Sequence, residues 1–138
     1  MVITPEQLAK SGSEHGHQAA LFAWAAQNLT KYPELKWLFA IPNGGQRSAS
    51  QGARLRAEGV KRGVPDIMLP CRNGRYNGLW LEMKVGKNVL TREQKDYFNY
   101  LHQENYRCKV CYSWIEARDE ILKYFNGYLG VRFLRLIE

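Results

Sequence analysis

The fold of this chain is decided by two short apolar runs, Gly63-Val64-Pro65-Asp66-Ile67-Met68-Leu69 and Leu79-Trp80-Leu81-Glu82-Met83-Lys84-Val85. Their length and their Val, Ile, Leu and Trp content are typical of buried β-strands. Each run nevertheless carries an acid, Asp66 or Glu82, which a buried strand has no packing reason to hold. Two carboxylates and Lys84, if brought together, can bind a hard divalent cation and handle the charge of a phosphate.

A hairpin centred on Gly74 would place the two acids opposite each other. Side chains alternate between the faces of a strand, so Glu82 and Lys84 share one face. The turn signal Asn73-Gly74 pairs position 66 with position 82, about 5 Å apart at Cβ. A second signal, Asn77-Gly78, would break this register, and we prefer the first because it gives both acids a shared purpose. A surface hairpin with an ordinary Glu-Lys pair is the simpler alternative.

Length, composition and charge narrow the class of protein. The chain has 138 residues, 45% of them hydrophobic, which suits a single domain over residues 1–138 with a core of its own. No segment approaches the ~18 apolar residues of a membrane span, and the N-terminal residues do not resemble a signal peptide, so we expect a cytoplasmic protein. Twenty Lys and Arg against 13 Asp and Glu give a net charge of +7, which favours a polyanionic partner.

The positive charge is concentrated just before the first acid. Between residues 42 and 64 a single acid, Glu58, accompanies five basic residues, namely Arg47, Arg54, Arg56, Lys61 and Arg62. A solvated basic loop is one explanation. Phosphate contact is the preferred one, because the stretch leads directly into Asp66.

The three cysteines are expected to be structural. Cys108 and Cys111 have the C-x-x-C spacing of some zinc and redox sites, but no second pair completes such a site. Residues 106–114 read as a strand, in which these two side chains point to opposite faces. Together with Cys71 they are therefore predicted to pack as small hydrophobic residues.

The remaining patterns predict a mixed sheet flanked by helices. Ser11-Gly-Ser-Glu14 predicts a capping box and a helix to about Leu29, with Glu14 and Gln18 on one inward face. The other predicted elements are a strand over 36–41, a helix over 48–58, a helix opened by the capping box Thr91-Arg-Glu-Gln94, a strand over 106–114, and a helix capped by Ser113 that runs to Asn126-Gly127. The order is α-β-(α)-β-β-α-β-α. The apolar tail over 131–137 fits a strand, a short helix or an association surface.

The tryptophan and histidine side chains are candidates for direct roles in binding or catalysis. The four tryptophans fall within predicted elements and are expected in the core, not stacked on bases: Trp24, Trp37, Trp80 and Trp114. His17 lies near Glu14 and Gln18 and could assist proton transfer, but a packed or solvent-facing role is preferred.

The order of elements, with Pro-Asp and Glu-x-Lys on adjacent strands, resembles the PD-(D/E)xK nuclease superfamily and, most closely, the VRR-NUC family. The resemblance covers roughly residues 11–115. The matching motifs are Glu14 with Gln18, Ile41-Pro42-Asn43-Gly44-Gly45-Gln46-Arg47, Gly63-Val64-Pro65-Asp66, Leu81-Glu82-Met83-Lys84, and Thr91-x-x-Gln94.

The resemblance implies which residues form the active site. Glu14, Asp66 and Glu82, with the backbone carbonyl of Met83, would hold Mg²⁺ or Mn²⁺, a choice that suits oxygen ligands. Lys84 matches the catalytic lysine of the family, and further catalytic positions match Gln18 and Gln94. The residues expected to contact DNA are Asn43, Gln46, Arg47, Arg54, Arg56, Lys61 and Arg62.

The resemblance also implies a metal-dependent DNA endonuclease. Small stand-alone members, common in phages and bacteria, resemble dimeric enzymes that cut four-way (Holliday) junctions in DNA repair and recombination. We therefore expect a homodimer acting on branched DNA in a bacterial or phage-infected cell. The alternatives are a general or flap-cutting nuclease, a DNA-binding module without catalysis, and a structural protein that uses its basic face only for charge.

Overall fold

A computed structural model describes residues 2–42 and 48–126 of the chain. A four-stranded mixed sheet lies between helices, which confirms the predicted α/β class. Among these residues every helix is too short or too polar to span a lipid bilayer. The elements in chain order are α1 (Pro5–Ala9), α2 (Glu14–Gln27), a 3-10 helix (Pro33–Trp37), β1 (Phe39–Ala40), α3 (Ala49–Ala57), β2 (Ile67–Leu69), β3 (Leu79–Met83), α4 (Arg92–Gln103), β4 (Arg107–Cys111) and α5 (Trp114–Asn126).

The antiparallel pair of β2 and β3 has the predicted register. Ile67 pairs with Leu81, so the hairpin is centred on Gly74 and not on the later turn signal. Gly74 has a φ of 91°, a left-handed conformation that glycine adopts without steric cost. One step beyond the strand pairing, the same register places Asp66 opposite Glu82.

The loop of this hairpin is anchored by the buried side chain of Asn73. Its Oδ1 accepts hydrogen bonds from the backbone N–H groups of Arg75 (3.1 Å) and Tyr76 (2.8 Å). Its Nδ2 donates to the backbone carbonyl of Tyr124 in α5, at 3.1 Å. The turn residue thus also ties the hairpin to the last helix, and its polar atoms are satisfied despite their burial.

The sheet has the order β1-β2-β3-β4. β1 and β2 are antiparallel, whereas β3 and β4 are parallel and are therefore joined by a crossover that contains α4. Beyond the end of β3, the backbone N–H of Lys84 donates to the carbonyl of Cys111 at 3.0 Å, which continues the pairing for one more residue.

Two apolar clusters cover the two faces of the sheet. The larger joins the sheet to α2 and α5 and includes Cys111, and the smaller joins it to α4 and includes Cys108. These two cysteines therefore point to opposite faces, as predicted, and like Cys71 they are buried thiols. Burial raises the pKa of the thiols of Cys108 and Cys111 to about 12, so neither forms a thiolate readily.

The predicted start of α2 was wrong. Ser13, not Ser11, is the N-cap, and its Oγ accepts a 2.9 Å hydrogen bond from the backbone N–H of Gly16. Glu14 therefore opens the helix and does not complete a capping box. Contact with α1 sets this start, because a Cβ on Gly16 would lie 2.7 Å from the carbonyl oxygen of Leu8.

Two short helical elements were missing from the prediction. Thr4 and Gln7 form a capping box around Pro5 and open α1. The 3-10 helix begins at Pro33, which is favoured at the first helical position, and it takes up the first part of the strand predicted over 36–41. β1 is consequently only two residues long.

The predicted caps of the later helices are confirmed. Thr91 and Gln94 form a reciprocal capping box at the start of α4. Ser113 Oγ accepts from the backbone N–H of Glu116 at 3.1 Å and caps α5. The helix predicted over 48–58 is α3. The tail over 131–137 lies outside the described residues.

The tryptophans do not share one environment. Trp114 is buried, and Trp24 and Trp80 are half-buried. The prediction was wrong for Trp37, which is 61% exposed at the end of the 3-10 helix. Leu38 is the residue that turns inward there, so the neighbouring indole points away from the core.

Candidate active site

Asp66 and Glu82 meet where β2 begins and β3 ends. The Asp66 carboxylate is held by a 2.9 Å hydrogen bond that its Oδ2 accepts from the backbone N–H of Met83. Glu82 is only 2% exposed, and its Oε1 has no hydrogen-bond partner within the described residues. Burying a carboxylate oxygen without a hydrogen-bond partner costs free energy, which indicates a binding position for a further group.

Gln94 orients the other oxygen of Glu82. Gln94 is the third residue of α4, and its Oε1 accepts a 2.9 Å hydrogen bond from the backbone N–H of Thr91. Its Nε2 is thereby directed to Glu82 Oε2, to which it donates at 3.1 Å. The capping box of α4 therefore also positions a donor in the site, and the amide cannot rotate without losing both hydrogen bonds.

Lys84 lies on the same side of the strand as Glu82, as the alternation of side chains predicts. Its Nζ is 3.6 Å from Glu82 Oε2, and both side chains are largely buried. A buried lysine beside two acids supplies a cation where a phosphate could be placed, at the cost of removing the ammonium from water. The simple surface Glu-Lys pair is therefore not what the structure contains.

The charge state of Glu82 follows from this environment. Burial and, secondly, the negative charge of Asp66 raise the pKa of the Glu82 carboxyl from 4.5 to about 8. Lys84 lowers this pKa and Glu14 raises it further, but neither outweighs burial. At neutral pH the isolated carboxyl therefore keeps much of its proton, and a bound cation would favour its ionised form.

Helix α2 carries two of the predicted site residues, Glu14 and Gln18. Glu14 opens α2 and is close enough for its charge to affect Glu82. Gln18, one turn later, is half-buried and makes no hydrogen bond to the two acids within residues 2–42 and 48–126. In that part of the chain no three His, Cys, Asp or Glu side chains converge closely enough to form a metal-binding group.

The donor atoms nevertheless fit a hard divalent cation. Asp66 and Glu82 offer carboxylate oxygens from facing strands, and the unpartnered Oε1 of Glu82 is free to act as a ligand. Among the described residues, the sulfur atoms of Met83 and Cys111 belong to the larger apolar cluster. Oxygen donors of this kind suit Mg²⁺ and Mn²⁺.

A cleft of about 490 Å³ lies beside the basic segment and extends as far as Gln94, the residue that bonds to Glu82. Arg56, Lys61 and Arg62 line it, together with Gly63, and Gln94 lies on its wall and also bonds to Glu82. The cleft therefore joins three of the predicted DNA-contacting residues to the carboxylate pair. Arg54 is exposed on α3 outside the cleft lining, while Asn43, Gln46 and Arg47 lie outside the described residues.

Sequence reasoning missed the role of Gly63. It has a φ of 86°, and a Cβ at this position would overlap the carbonyl oxygen of Glu93 and lie 3.0 Å from the backbone nitrogen of Gln94. The chain before Asp66 therefore packs directly on the first turn of α4. Only a glycine permits this approach, and the available signal was its place three residues before the acid.

His17 has a packing role. Its Nδ1 accepts a 3.0 Å hydrogen bond from the backbone N–H of Trp114, the first residue of α5. This bond satisfies one of the free N–H groups at the start of that helix and links α2 to α5. The structure thus agrees with the packed role and gives His17 no contact with the two acids.

Comparison with known proteins points to one family. The model of the VRR-NUC domain matches residues 13–114, more than half of the chain. A solved structure described as a VRR_NUC domain protein is 25% identical and superposes with a TM-score of 0.70 over 82% of this chain and 88% of that chain. No curated protein matches this chain.

Proposed function

We propose that this chain, which belongs to the VRR-NUC family, is a divalent-metal-dependent DNA endonuclease. Membership of this family implies a nuclease domain that binds DNA. The dependence on a divalent metal and the preference for branched DNA are proposals. The observation that carries the proposal is the pair of half-buried Asp66 and buried Glu82, in which Glu82 Oε1 has no hydrogen-bond partner among the described residues and Lys84 lies beside it. We treat residues 1–138 as one such domain, acting in the cytoplasm.

The metal would be held by Asp66, Glu82 and the backbone carbonyl of Met83, with Glu14 approaching from α2. Bound Mg²⁺ or Mn²⁺ would supply Lewis-acid chemistry at the scissile phosphate and lower the pKa of a coordinated water. The Asp66 carboxylate is already fixed by the hydrogen bond from the Met83 N–H.

The other side chains of the site act on charge and orientation. Lys84 would stabilise the negative charge that grows on the phosphate in the transition state, since its Nζ is held next to Glu82 and is shielded from water. Gln94 would keep the Glu82 carboxylate in one rotamer, because its amide is itself fixed by Thr91. Gln18 would support the site from α2.

Binding of DNA would use the cleft beside α3. Arg56, Lys61 and Arg62 line it. Arg54 on α3 would be a further DNA contact, as would Asn43, Gln46 and Arg47, which lie outside the described residues. Contacts to phosphates carry no base sequence, so we expect recognition by shape and strong dependence on salt. A four-way junction is the proposed substrate, and paired incision requires two sites in a fixed relation, as in a homodimer.

Cleavage of labelled DNA tests this proposal. Four-way junction, flap, duplex and single-stranded DNA would be incubated with Mg²⁺, with Mn²⁺ or with chelator. Wild type would be compared with Glu82→Ala and with the matched control Glu93→Gln, which removes an exposed acid from the same region. Paired nicks in the junction, lost in chelator and in Glu82→Ala but kept in the control, are expected.

Other patterns would select an alternative. Equal cutting of all substrates would leave a general nuclease and refute the junction preference, and cutting of flaps alone would favour the flap enzyme. Binding without cleavage under any metal would favour the DNA-binding module. Cutting by Glu82→Ala at the wild-type rate would refute the assigned site.

A further inference from the structure

Trp37 lies on a second surface, separate from the carboxylate pair. The indole is 61% exposed, although tryptophan is usually largely buried. It faces a cleft of about 480 Å³ between the 3-10 helix and the hairpin loop, lined by Glu34, Trp37, Pro70, Cys71, Arg72 and Asn77. An exposed aromatic ring that lines a cleft with charged residues is an arrangement that packing alone does not explain.

The charges around this ring are mostly positive. Lys36 places its Nζ 5.2 Å from the centroid of the Trp37 ring, a cation–π contact. Arg72 also lines the cleft, and Glu34 is the acid among the lining residues. With a net charge of +7 on the chain, this surface suits an anionic ligand with a flat apolar part.

We propose that Trp37 is a stacking platform for an unpaired base of a nucleic acid, with Lys36 and Arg72 contacting the neighbouring phosphates. Base stacking on an aromatic side chain tolerates any sequence, and basic residues beside the ring track the backbone. A second copy of this chain is the less suitable occupant, because two such basic surfaces would repel each other. The inference rests on the proposed function, since it takes DNA as the ligand.

The register of β1 connects this platform to the active site. Phe39 pairs with Met68, and the backbone N–H of Ile41 donates to the Asp66 carbonyl at 2.7 Å. Trp37 ends the 3-10 helix and the chain then runs through β1 to Ile41, so the two residues are at most about 13 Å apart at strand spacing. A DNA strand held at Trp37 can therefore lie along β1 towards Asp66, and the proposed platform would hold unpaired bases near the cut.

The test is binding of short fluorescent oligothymidylate in chelator, where no cleavage occurs. Wild type would be compared with Trp37→Ala, Trp37→Phe and Tyr100→Ala, the last removing another exposed aromatic residue on α4. Trp37→Ala is expected to weaken binding about 5- to 100-fold, the range of one lost stacking contact. Trp37→Phe should keep most of the affinity, and Tyr100→Ala all of it.

Tryptophan fluorescence gives an independent reading. Unlabelled oligothymidylate should quench wild-type emission but not that of Trp37→Ala, which keeps the other three tryptophans. Equal affinity of wild type and Trp37→Ala would overturn the inference, as would equal losses in Trp37→Ala and Tyr100→Ala. Equal weakening of perfect duplex would assign Trp37 to general DNA binding and also overturn it. Because binding is measured without metal, failure here leaves the cleavage result standing, and failure of cleavage leaves this result standing.

Discussion

Replacing Gly63 with alanine tests how the first turn of α4 is held against the chain that leads into Asp66. Gly63 has a φ of 86°, and a Cβ there would overlap the carbonyl oxygen of Glu93. Relief requires a shift of α4 or of the loop, and either movement displaces Gln94, the donor to Glu82 Oε2. The substitution should therefore reduce both stability and activity.

The magnitude has two parts. A left-handed conformation costs a residue other than glycine about 1 to 2 kcal/mol. The overlap with helix backbone adds about 1 to 3 kcal/mol, the usual cost of overpacking, because backbone atoms yield less than flexible side chains. We expect Gly63→Ala to lower the free energy of unfolding by about 2 to 5 kcal/mol.

Gly59→Ala is the matched control. Gly59 also has a positive φ, of 101°, but a Cβ there has no neighbouring atom within 4 Å. This variant should lose only the backbone part, about 1 to 2 kcal/mol, and should cut DNA at the wild-type rate. Urea unfolding and cleavage of a four-way junction would be measured for both. Equal losses of stability in the two variants, or full activity of Gly63→Ala, would contradict the close contact between Gly63 and α4.

Three further predictions concern the acids, the helix cap and the thiols. Because the pKa of Glu82 is raised from 4.5 to about 8 in the fold, metal-free protein should lose stability as pH rises across that interval. Glu82→Gln should abolish this dependence. Above pH ~8 this variant should be more stable than wild type by up to about 5 kcal/mol, measured by urea unfolding with chelator. An unchanged pH profile would contradict this prediction. Gln94→Glu keeps a residue that suits the capping box but removes the donor to Glu82, so cleavage should fall roughly 10- to 100-fold with little loss of helix stability; unaltered rates would argue against this hydrogen bond. Cys108 and Cys111, with pKa values near 12, should resist maleimide at pH ~8 until the protein is unfolded, and rapid labelling seen by mass spectrometry would contradict their burial.

The parts of the fold that local signals determine were predictable. The register of β2 and β3 followed from one turn signal at Gly74 and from the assumption that two acids in apolar strands share a purpose. The caps at Thr91 and Ser113 were predictable because a cap depends on residues within one turn of each other. The opposite orientations of Cys108 and Cys111 needed only the period of a strand.

Tertiary contacts explain what the sequence did not predict. Two serines near the start of α2 are equally good caps, and the packing of Gly16 on α1 decides between them. The exposure of Trp37 depends on where a 3-10 helix gives way to a strand, which side-chain patterns do not specify. The contact of Gly63 with α4 joins segments thirty residues apart, and it has no local signal beyond the glycine itself.

Binding of Mn²⁺ to the isolated protein, followed by electron paramagnetic resonance, tests most directly the claim that Asp66 and Glu82 form the metal centre of a nuclease. Wild type, Asp66→Asn and the control Glu93→Gln would be titrated at one pH. We expect a bound ion in wild type and control, and its loss in Asp66→Asn. Equal binding by all three proteins, or none by wild type with or without junction DNA, would contradict it.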